Sequence, residues 1–164
     1  MSGSAQEGGA ERGAPESHVS RGPSPVGPAG VLVDSNVLLD VAKEDPVWGE
    51  WSARMLAELA ERAPLVINPI VYAEVSVGYA TIEAVDAALP PEFYRREALP
   101  WEAGFVAGKV FVQYRRRGGA RRSPLPDFYI GAHATVRDLA LLTRDPARYR
   151  TYFPRLRIVA PDGA

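Results

Sequence analysis

The sequence predicts an α/β domain of three layers, in which a central parallel sheet of four to five short strands lies between helices. Short apolar runs alternate along the chain with amphipathic stretches of helical periodicity. Parallel neighbours in a sheet need a crossover connection, and a helix is the usual one. With 46% hydrophobic and 24% charged residues, the composition is that of a globular protein.

The composition also excludes several classes of protein. The chain contains no cysteine, so neither a disulfide scaffold nor a cysteine-ligated zinc site can form. Its apolar runs fall far short of the roughly 20 residues that a membrane-spanning helix requires. Its N-terminus has neither the basic start nor the apolar segment of a signal peptide. We therefore expect a soluble, cytoplasmic protein that does not associate with membranes.

Two segments of different character divide the chain. Residues 1–30 are rich in Gly, Pro, Ser and Glu and contain almost no large apolar side chain. Such a segment cannot bury enough surface to offset the entropy of ordering, so we predict a disordered tail. The character changes at Gly30, and residues 31–164 are expected to form one domain with a single core.

The first half of this domain is predicted to contain two strands and three helices. The apolar residues 31–33 run directly into Asp34, which is typical of a buried strand that ends in a polar loop. Asn68 and Pro69 mark a helix start, because Asn caps helices well and Pro is favoured at the first position. The strands are predicted over 31–33 and 65–67, and the helices over 45–62, 70–79 and 81–89.

The second half is predicted to contain two longer helices and up to three strands. Trp101, Phe105 and Val110 recur at helical spacing and mark one face of a helix that runs into Gly118 and Gly119. The other predicted elements are a short strand that closes at Leu99, a basic loop over 115–126, a helix over 127–138, and strands over 140–142 and 156–159.

Four acidic side chains form the candidate site. Asp34 and Asp145 each follow an apolar strand, and the carboxyl ends of parallel strands border one crevice, so both should point into it. Glu74 and Asp127 lie on or at the start of a helix, where they can face the same crevice. Clusters of oxygen ligands alone suit Mg²⁺ or Mn²⁺.

Each of the four also has a purely structural explanation. Asp127 and Asp145 lie beside prolines, and either is a plausible helix cap. Glu74 fits a solvated helix face, and Asp34 is the least easily explained in this way. Their joint placement is the argument for a site.

Two polar residues flank these acids. Asn36 and Thr143 either orient a carboxylate or metal-bound water by hydrogen bonds or only shape a turn, and the sequence leaves both roles open.

Aromatic and histidine side chains receive structural interpretations. His133 comes six positions after Asp127 and is out of phase with it on a helix, so we expect a packed core histidine and not a metal ligand. Four large aromatic side chains form a second set, which fits helix packing or a subunit interface better than a cofactor site. That set is Trp48, Trp51, Trp101 and Phe105.

Four motifs occur in one order along the chain. They are Val33-Asp34-Ser35-Asn36-Val37-Leu38-Leu39, Asn68-Pro69-x-x-Tyr72-Ala73-Glu74, Leu125-Pro126-Asp127-Phe128-Tyr129-Ile130-Gly131-Ala132-His133-Ala134 and Leu142-Thr143-Arg144-Asp145. In order and spacing the chain resembles the PIN-domain family, specifically its VapC toxin ribonucleases of type II toxin–antitoxin systems. The resemblance runs from Val31 to the C-terminus and includes Tyr149-x-x-Tyr152-Phe153-Pro154. The tail departs from it, and Ser35 stands where the family often has Thr, which keeps the hydroxyl.

The resemblance implies a metal-dependent endoribonuclease that binds a cognate antitoxin, in a family whose members typically pair as homodimers. It implies that Asp34, Glu74, Asp127 and Asp145 hold Mg²⁺ or Mn²⁺. The cation would lower the pKa of a water that hydrolyses the RNA phosphodiester bond.

Basic side chains are concentrated in the second half of the chain. Residues 91–164 carry 14 basic against 7 acidic side chains, whereas residues 1–90 carry 5 against 13. Five arginines are either RNA-backbone contacts or a solvated loop. They are Arg115, Arg116, Arg117, Arg121 and Arg122. Arg144 is either a substrate clamp or a neutralising partner of the acidic cluster.

Two other functions compete with this interpretation. A phosphatase of the haloacid-dehalogenase type also uses an Asp after its first strand, but it needs a second Asp two residues later, where this chain has Asn36. The other is a catalytically inactive PIN-like protein that only binds partners, in which the acids would be structural.

Overall fold

A five-stranded sheet forms the centre of the protein in a computed structural model, which describes residues 29–163. All strand pairs are parallel, and the strand order is β3-β2-β1-β4-β5. The strands are β1 Val31–Val33, β2 Leu65–Ile67, β3 Tyr94–Arg96, β4 Ala140–Leu142 and β5 Ile158–Val159. The predicted α/β class with a central parallel sheet is confirmed. Most of the predicted tail, residues 1–28, lies outside the described residues.

Helices connect the strands and flank the sheet. They are α1 Ser35–Ala42, α2 Gly49–Ala60, α3 Pro69–Ser76, α4 Ile82–Ala88, α5 Trp101–Arg116, α6 Pro126–Val136 and α7 Ala147–Tyr152. Asn68 and Thr81 are confirmed as the residues at which two predicted helices begin, since each side chain accepts a hydrogen bond from the backbone of its helix. Between residues 29 and 163, no helix is both long and apolar enough to cross a membrane.

The three inner strands form the core. Leu32 pairs with Val66 on one side and with Leu141 on the other, and all three side chains are fully buried. Continuous apolar strands of this kind are typical of a parallel sheet that is covered on both faces. Gly30 precedes β1 with φ +129°, and a Cβ there would lie 2.7 Å from the Pro64 carbonyl oxygen, so only glycine fits.

Helix α1 replaces the polar loop that the sequence predicts after β1. Asp34 is its N-cap residue in an extended conformation, but its side chain makes no capping hydrogen bond. The polar residues that follow β1 favour a loop, yet Val37 and Leu38 behind them are buried and draw the segment into a helix against the core. The short helix α7 is likewise absent from the prediction.

The apolar face predicted for α5 is buried only in part. Trp101 and Phe105 are 93% and 67% exposed, whereas Ala103, Ala107 and Val110 are buried. Helix α5 packs closely on α6, and small side chains on the contact face allow that approach. The two large aromatic side chains therefore lie on the outer surface.

Candidate active site

Polar residues follow four neighbouring strands at the carboxyl edge of the sheet. Glu97, Asn68, Asp34 and Thr143 come directly after β3, β2, β1 and β4 in spatial order. This edge is where ligands bind in open parallel sheets. The four side chains divide into two hydrogen-bonded groups, one around Asp34 and one around Asn68.

Asp34 is the most constrained acid of the site. Its side chain is only 4% exposed. Its Oδ2 atom accepts hydrogen bonds from Thr143 Oγ1 at 2.8 Å, the Tyr149 hydroxyl at 3.0 Å and Asn36 Nδ2 at 3.3 Å. Asn36 and Thr143 thus orient this carboxylate, which is one of the two roles that the sequence left open for them.

Burial raises the pKa of Asp34 from its ordinary value of 3.8 to about 6. The hydrogen bond from Thr143 lowers this pKa, while the negative charge of Asp127 raises it. The hydrogen bonds therefore do not fully compensate the buried charge. An ionised Asp34 calls for a positive charge nearby.

Glu74 on α3 is linked to the start of α1 through a serine. The Ser35 hydroxyl donates to Glu74 Oε2 at 2.8 Å and lies 3.5 Å from Asp34 Oδ1. Burial raises the pKa of Glu74, and the charge of Asp127 raises it further, whereas the Ser35 hydrogen bond lowers it. The hydroxyl at position 35 thus lies between two of the candidate acids.

Asp127 is the second residue of α6 and the third acid of the group. Arg148 on α7 donates a hydrogen bond to Asp127 Oδ2 in an ion pair. The pKa of Tyr149 is raised well above 10, first by burial and then by the charges of Asp34 and Asp127. The Tyr149 phenol therefore stays protonated and acts as a donor. The structure brings Asp34, Glu74 and Asp127 within electrostatic reach of one another.

Asp145 is placed differently from the other three acids. It is exposed, and its backbone N–H donates to Thr143 Oγ1 at 3.1 Å. The same oxygen accepts from Asn36 Nδ2 at 3.1 Å and donates to Asp34. Asp145 is therefore joined to the Asp34 group through the Thr143 hydroxyl, and its side chain projects to solvent.

The donor chemistry of the group fits a hard divalent cation. Carboxylate oxygens are the ligands that such ions prefer, and a cation would offset the two effects that raise the pKa of Asp34 and Glu74, burial first and then the charge of Asp127. In the part of the chain that the structure describes, no three histidine or acidic side chains are arranged to hold a metal ion. Asp127 is engaged by Arg148, so a three-carboxylate site requires that carboxylate to be released.

The basic loop predicted over 115–126 includes the last two residues of α5, Arg115 and Arg116, and begins as a loop only at Arg117. The segment contains two kinds of arginine. Arg115 Nη1 donates to the carbonyl oxygens of Gly119 and Arg121 at 3.0 and 2.9 Å, which fixes the loop. The Arg117 guanidinium lies 5.4 Å from the centre of the Tyr152 ring. The guanidinium groups of a second set remain available to solvent on the exposed surface. That set is Arg116, Arg121 and Arg122.

Arg144 does not pair with any of the four candidate acids. Its Nε atom lies 3.1 Å from Oδ2 of Asp40, without the alignment of a hydrogen bond. Asp40 is buried on α1 and also accepts from Ser52 Oγ at 2.9 Å. Arg144 thus neutralises a buried acid outside the predicted cluster. Asp40 is not among the predicted site residues, because α1, the helix that carries it, is absent from the prediction.

His133 is the packed core histidine that the sequence predicts. It is fully buried, and its two ring nitrogens lie 3.1 Å from Asn68 Nδ2 and Glu97 Oε2. Asn68 already accepts from the Val71 N–H through Oδ1, so its amide donates to Nδ1 and the histidine proton lies on Nε2. Both nitrogens are occupied by protein partners, which leaves neither for a metal.

Tyr149 and Arg148 are the site contacts that the sequence does not reveal. Both lie on α7, which has only six residues and no apolar periodicity long enough to predict a helix. The Tyr149-x-x-Tyr152 spacing is the only local signal. Nothing local indicates that this hydroxyl reaches the end of β1, 115 residues earlier.

Comparison with known proteins identifies the domain. A family model described as the PIN domain matches residues 31–154. This span includes all four candidate acids and the whole of α7. No curated protein matches the chain.

Solved structures share the fold over most of the chain. VapBC2 from Rickettsia felis, bound to a DNA fragment from its promoter, has a TM-score of 0.63 at 18% identity, over 80% of this chain and 98% of its own. VapBC-1 from nontypeable Haemophilus influenzae has a TM-score of 0.61 at 20% identity, over 79% and 96%. A toxin–antitoxin complex from Klebsiella pneumoniae has 0.58 at 20% identity, over 79% and 96%. At these identities the likeness is one of fold.

Proposed function

The chain belongs to the PIN-domain family, and from that premise we propose that it is a metal-dependent endoribonuclease, the VapC-type toxin of a toxin–antitoxin pair. The observation that carries this proposal is the buried Asp34 carboxylate beside Glu74 and Asp127, at the sheet edge where ligands bind. A structural acid in that position would normally have a compensating cation of its own, and Arg148 pairs with Asp127 instead.

We propose that Asp34, Glu74, Asp127 and Asp145 hold Mg²⁺ or Mn²⁺. When bound, the cation supplies charge stabilisation at the scissile phosphate and activates the attacking water. Thr143 and Tyr149 keep Asp34 in one orientation, because both donate to the same oxygen and leave Oδ1 free of them. The exposed position of Asp145 suits a carboxylate that contacts the cation from the solvent side of the site.

RNA binding is supported by the exposed arginines of the basic loop. Arg116 is the last residue of α5, and Arg121 and Arg122 lie on the segment that leads from it into α6, on which Asp127 is the second residue. Cations there would attract a phosphate backbone toward the acids. Arg115 and Arg117 shape the loop through their contacts and are proposed to act only indirectly.

Two protein partners are proposed, a cognate antitoxin and a second copy of the chain. Large apolar side chains are exposed on the outer surface, including Trp101, Phe105 and Phe93. Exposed aromatic side chains are typical of protein interfaces. Several solved proteins of this fold are toxin–antitoxin complexes. A short reading frame for a DNA-binding protein directly upstream of this gene would support the antitoxin. Because such an antitoxin would act in the cytoplasm, we propose that location for this protein as well.

The proposal is tested with purified full-length protein that carries no antitoxin. RNA cleavage is expected only with Mg²⁺ or Mn²⁺. Asp34→Asn should abolish it while the circular dichroism spectrum is unchanged and unfolding remains cooperative. Asp162→Asn, at an exposed acid, serves as the matched control and should cleave normally. Cleavage that survives both EDTA and Asp34→Asn would show that these carboxylates are not the catalytic site. A folded wild type that binds RNA but never cleaves it would favour the binding-only alternative.

A further inference from the structure

Helix α7 contacts two of the candidate acids through consecutive residues. Tyr149 donates its hydroxyl to Asp34, and Arg148 donates its guanidinium to Asp127. The first contact is buried, whereas the second is partly open to solvent, with Arg148 49% and Asp127 28% exposed. The helix therefore combines one fixed donor with one that is free to move.

The position of Arg148 puts a positive charge where a cation is expected to bind. The Asp127 charge acts on both Asp34 and Glu74, so whatever neutralises Asp127 affects the whole group. Arg148 engages Oδ2 of Asp127, and the same oxygen cannot also approach a metal ion without displacing the guanidinium. Arginine and a divalent cation are therefore competitors for this carboxylate.

A divalent cation should displace Arg148 from Asp127. Ion pairs that are half exposed are weak, because solvent screens them and the long side chain loses freedom in forming them. A divalent cation interacts with several carboxylates at once, whereas Arg148 pairs with one of them. The guanidinium can leave without any rearrangement of α7, since Tyr149 and not Arg148 anchors this helix to β1.

Building on the proposed function, we infer that Arg148 is a tethered counter-cation that holds Asp127 in the metal-free protein, competes with the divalent cation and is displaced when the cation binds. The arginine thus lowers the metal affinity of the site while it stabilises the metal-free fold. It is a positioning residue for Asp127. A residue that merely supported the site would raise its metal affinity, whereas Arg148 lowers it.

The test is Mn²⁺ binding to the full-length protein, measured by electron paramagnetic resonance of free Mn²⁺ or by calorimetry. Arg148→Gln should bind Mn²⁺ about three- to tenfold more tightly than the wild type, as expected for removal of one opposing charge at a partly exposed site. Arg148→Lys keeps the charge and should restore most of the wild-type affinity. Arg155→Gln makes the same charge change at an exposed position after α7 and should leave the affinity unchanged.

A second readout separates competition from general damage. Without metal, Arg148→Gln should unfold at lower temperature than the wild type, and saturating Mn²⁺ should remove most of that difference. In an Asp127→Asn background, Arg148→Gln should no longer increase Mn²⁺ affinity, because the pair through which it acts is already broken.

The outcomes that overturn the inference differ from those that overturn the proposed function. Equal or weaker Mn²⁺ binding by folded Arg148→Gln, with normal binding by the wild type, overturns the counter-cation role alone. A gain that persists unchanged in the Asp127→Asn background also overturns it. Failure of both the wild type and Arg148→Gln to bind Mn²⁺ overturns the metal site and this inference together.

Discussion

The hydroxyl of Tyr149 donates to Asp34 Oδ2 at 3.0 Å, so that the last helix of the chain holds the carboxylate that follows the first strand. Both side chains are buried, and the high pKa of the phenol, caused first by burial, keeps it a donor. The contact joins α7 to the carboxyl edge of the sheet. The orientation of Asp34 is thereby coupled to the docking of α7.

Replacement of Tyr149 by Phe should shift the pH dependence of cleavage. The variant loses one hydrogen bond that favours ionised Asp34, so the pKa of Asp34 should rise above about 6. At limiting Mn²⁺, activity near pH 7 should fall and partly recover at higher pH, because a protonated Asp34 cannot hold the cation. The stability loss should be about 1 kcal/mol. The pH–rate profile is the measurement. Tyr152→Phe is the control, and an unshifted profile in Tyr149→Phe would show that the contact does not tune Asp34.

Asp34→Asn should stabilise the metal-free protein near neutral pH. The folded-state pKa is raised from 3.8 to about 6, so the stabilisation linked to the protonated carboxyl is complete below pH 3.8 and is lost as pH rises through about 6. At pH 7.5 in EDTA the free energy of unfolding of the variant should exceed that of the wild type by on the order of 2–3 kcal/mol, which corresponds to a pKa difference of about two. The gain should vanish near pH 3.5. Urea unfolding at both pH values measures it, and a variant less stable at both would contradict the assigned burial cost.

His133→Ala should destabilise the fold by about 2–4 kcal/mol, because it opens a core cavity and leaves Asn68 and Glu97 without a buried partner. His133→Gln retains a polar side chain and should lose less. Urea unfolding gives the two values. If folded His133→Gln instead loses Mn²⁺ binding with little change in stability, His133 is a metal ligand and its core role is wrong.

The two kinds of loop arginine should respond differently to substitution. Replacement of Arg116, Arg121 and Arg122 by Gln should weaken RNA binding and reduce the slope of log affinity against log salt by about two to three, as expected when phosphate contacts are lost. Arg115→Gln should lower thermal stability more than RNA affinity, because its guanidinium holds two loop carbonyls. Fluorescence anisotropy with the Asp34→Asn protein and single-stranded RNA avoids cleavage. An unchanged salt slope in the triple variant would remove this loop from the RNA site.

Local sequence patterns account well for the sheet and for most helices. The strands Val31–Val33 and Ala140–Leu142 match the predicted ranges, since short apolar runs are an adequate signal for buried parallel strands. Helix α1 is absent from the prediction because the polar residues at its start favour a loop, a preference that burial of Val37 behind them overrides. Local preference fails where tertiary packing decides.

The sequence indicated the candidate acids but not the side chains that contact them. Strand-end geometry places Asp34 at the carboxyl edge from the sequence alone. The same reasoning favoured Asp145, yet the structure groups Asp34 with Glu74 and Asp127 and leaves the Asp145 side chain exposed. Contacts between residues far apart in the sequence, such as that of Tyr149, depend on how elements dock.

The central claim, that these carboxylates hold a divalent cation for RNA hydrolysis, is tested most directly by one titration. Protein freed of metal by EDTA and dialysis receives increasing Mn²⁺, and bound Mn²⁺ and RNA cleavage are followed in the same samples. Both signals should rise together in the wild type, and both should be absent from folded Asp34→Asn. Cleavage before any Mn²⁺ binds, or undiminished Mn²⁺ binding and cleavage in Asp34→Asn, would contradict the claim.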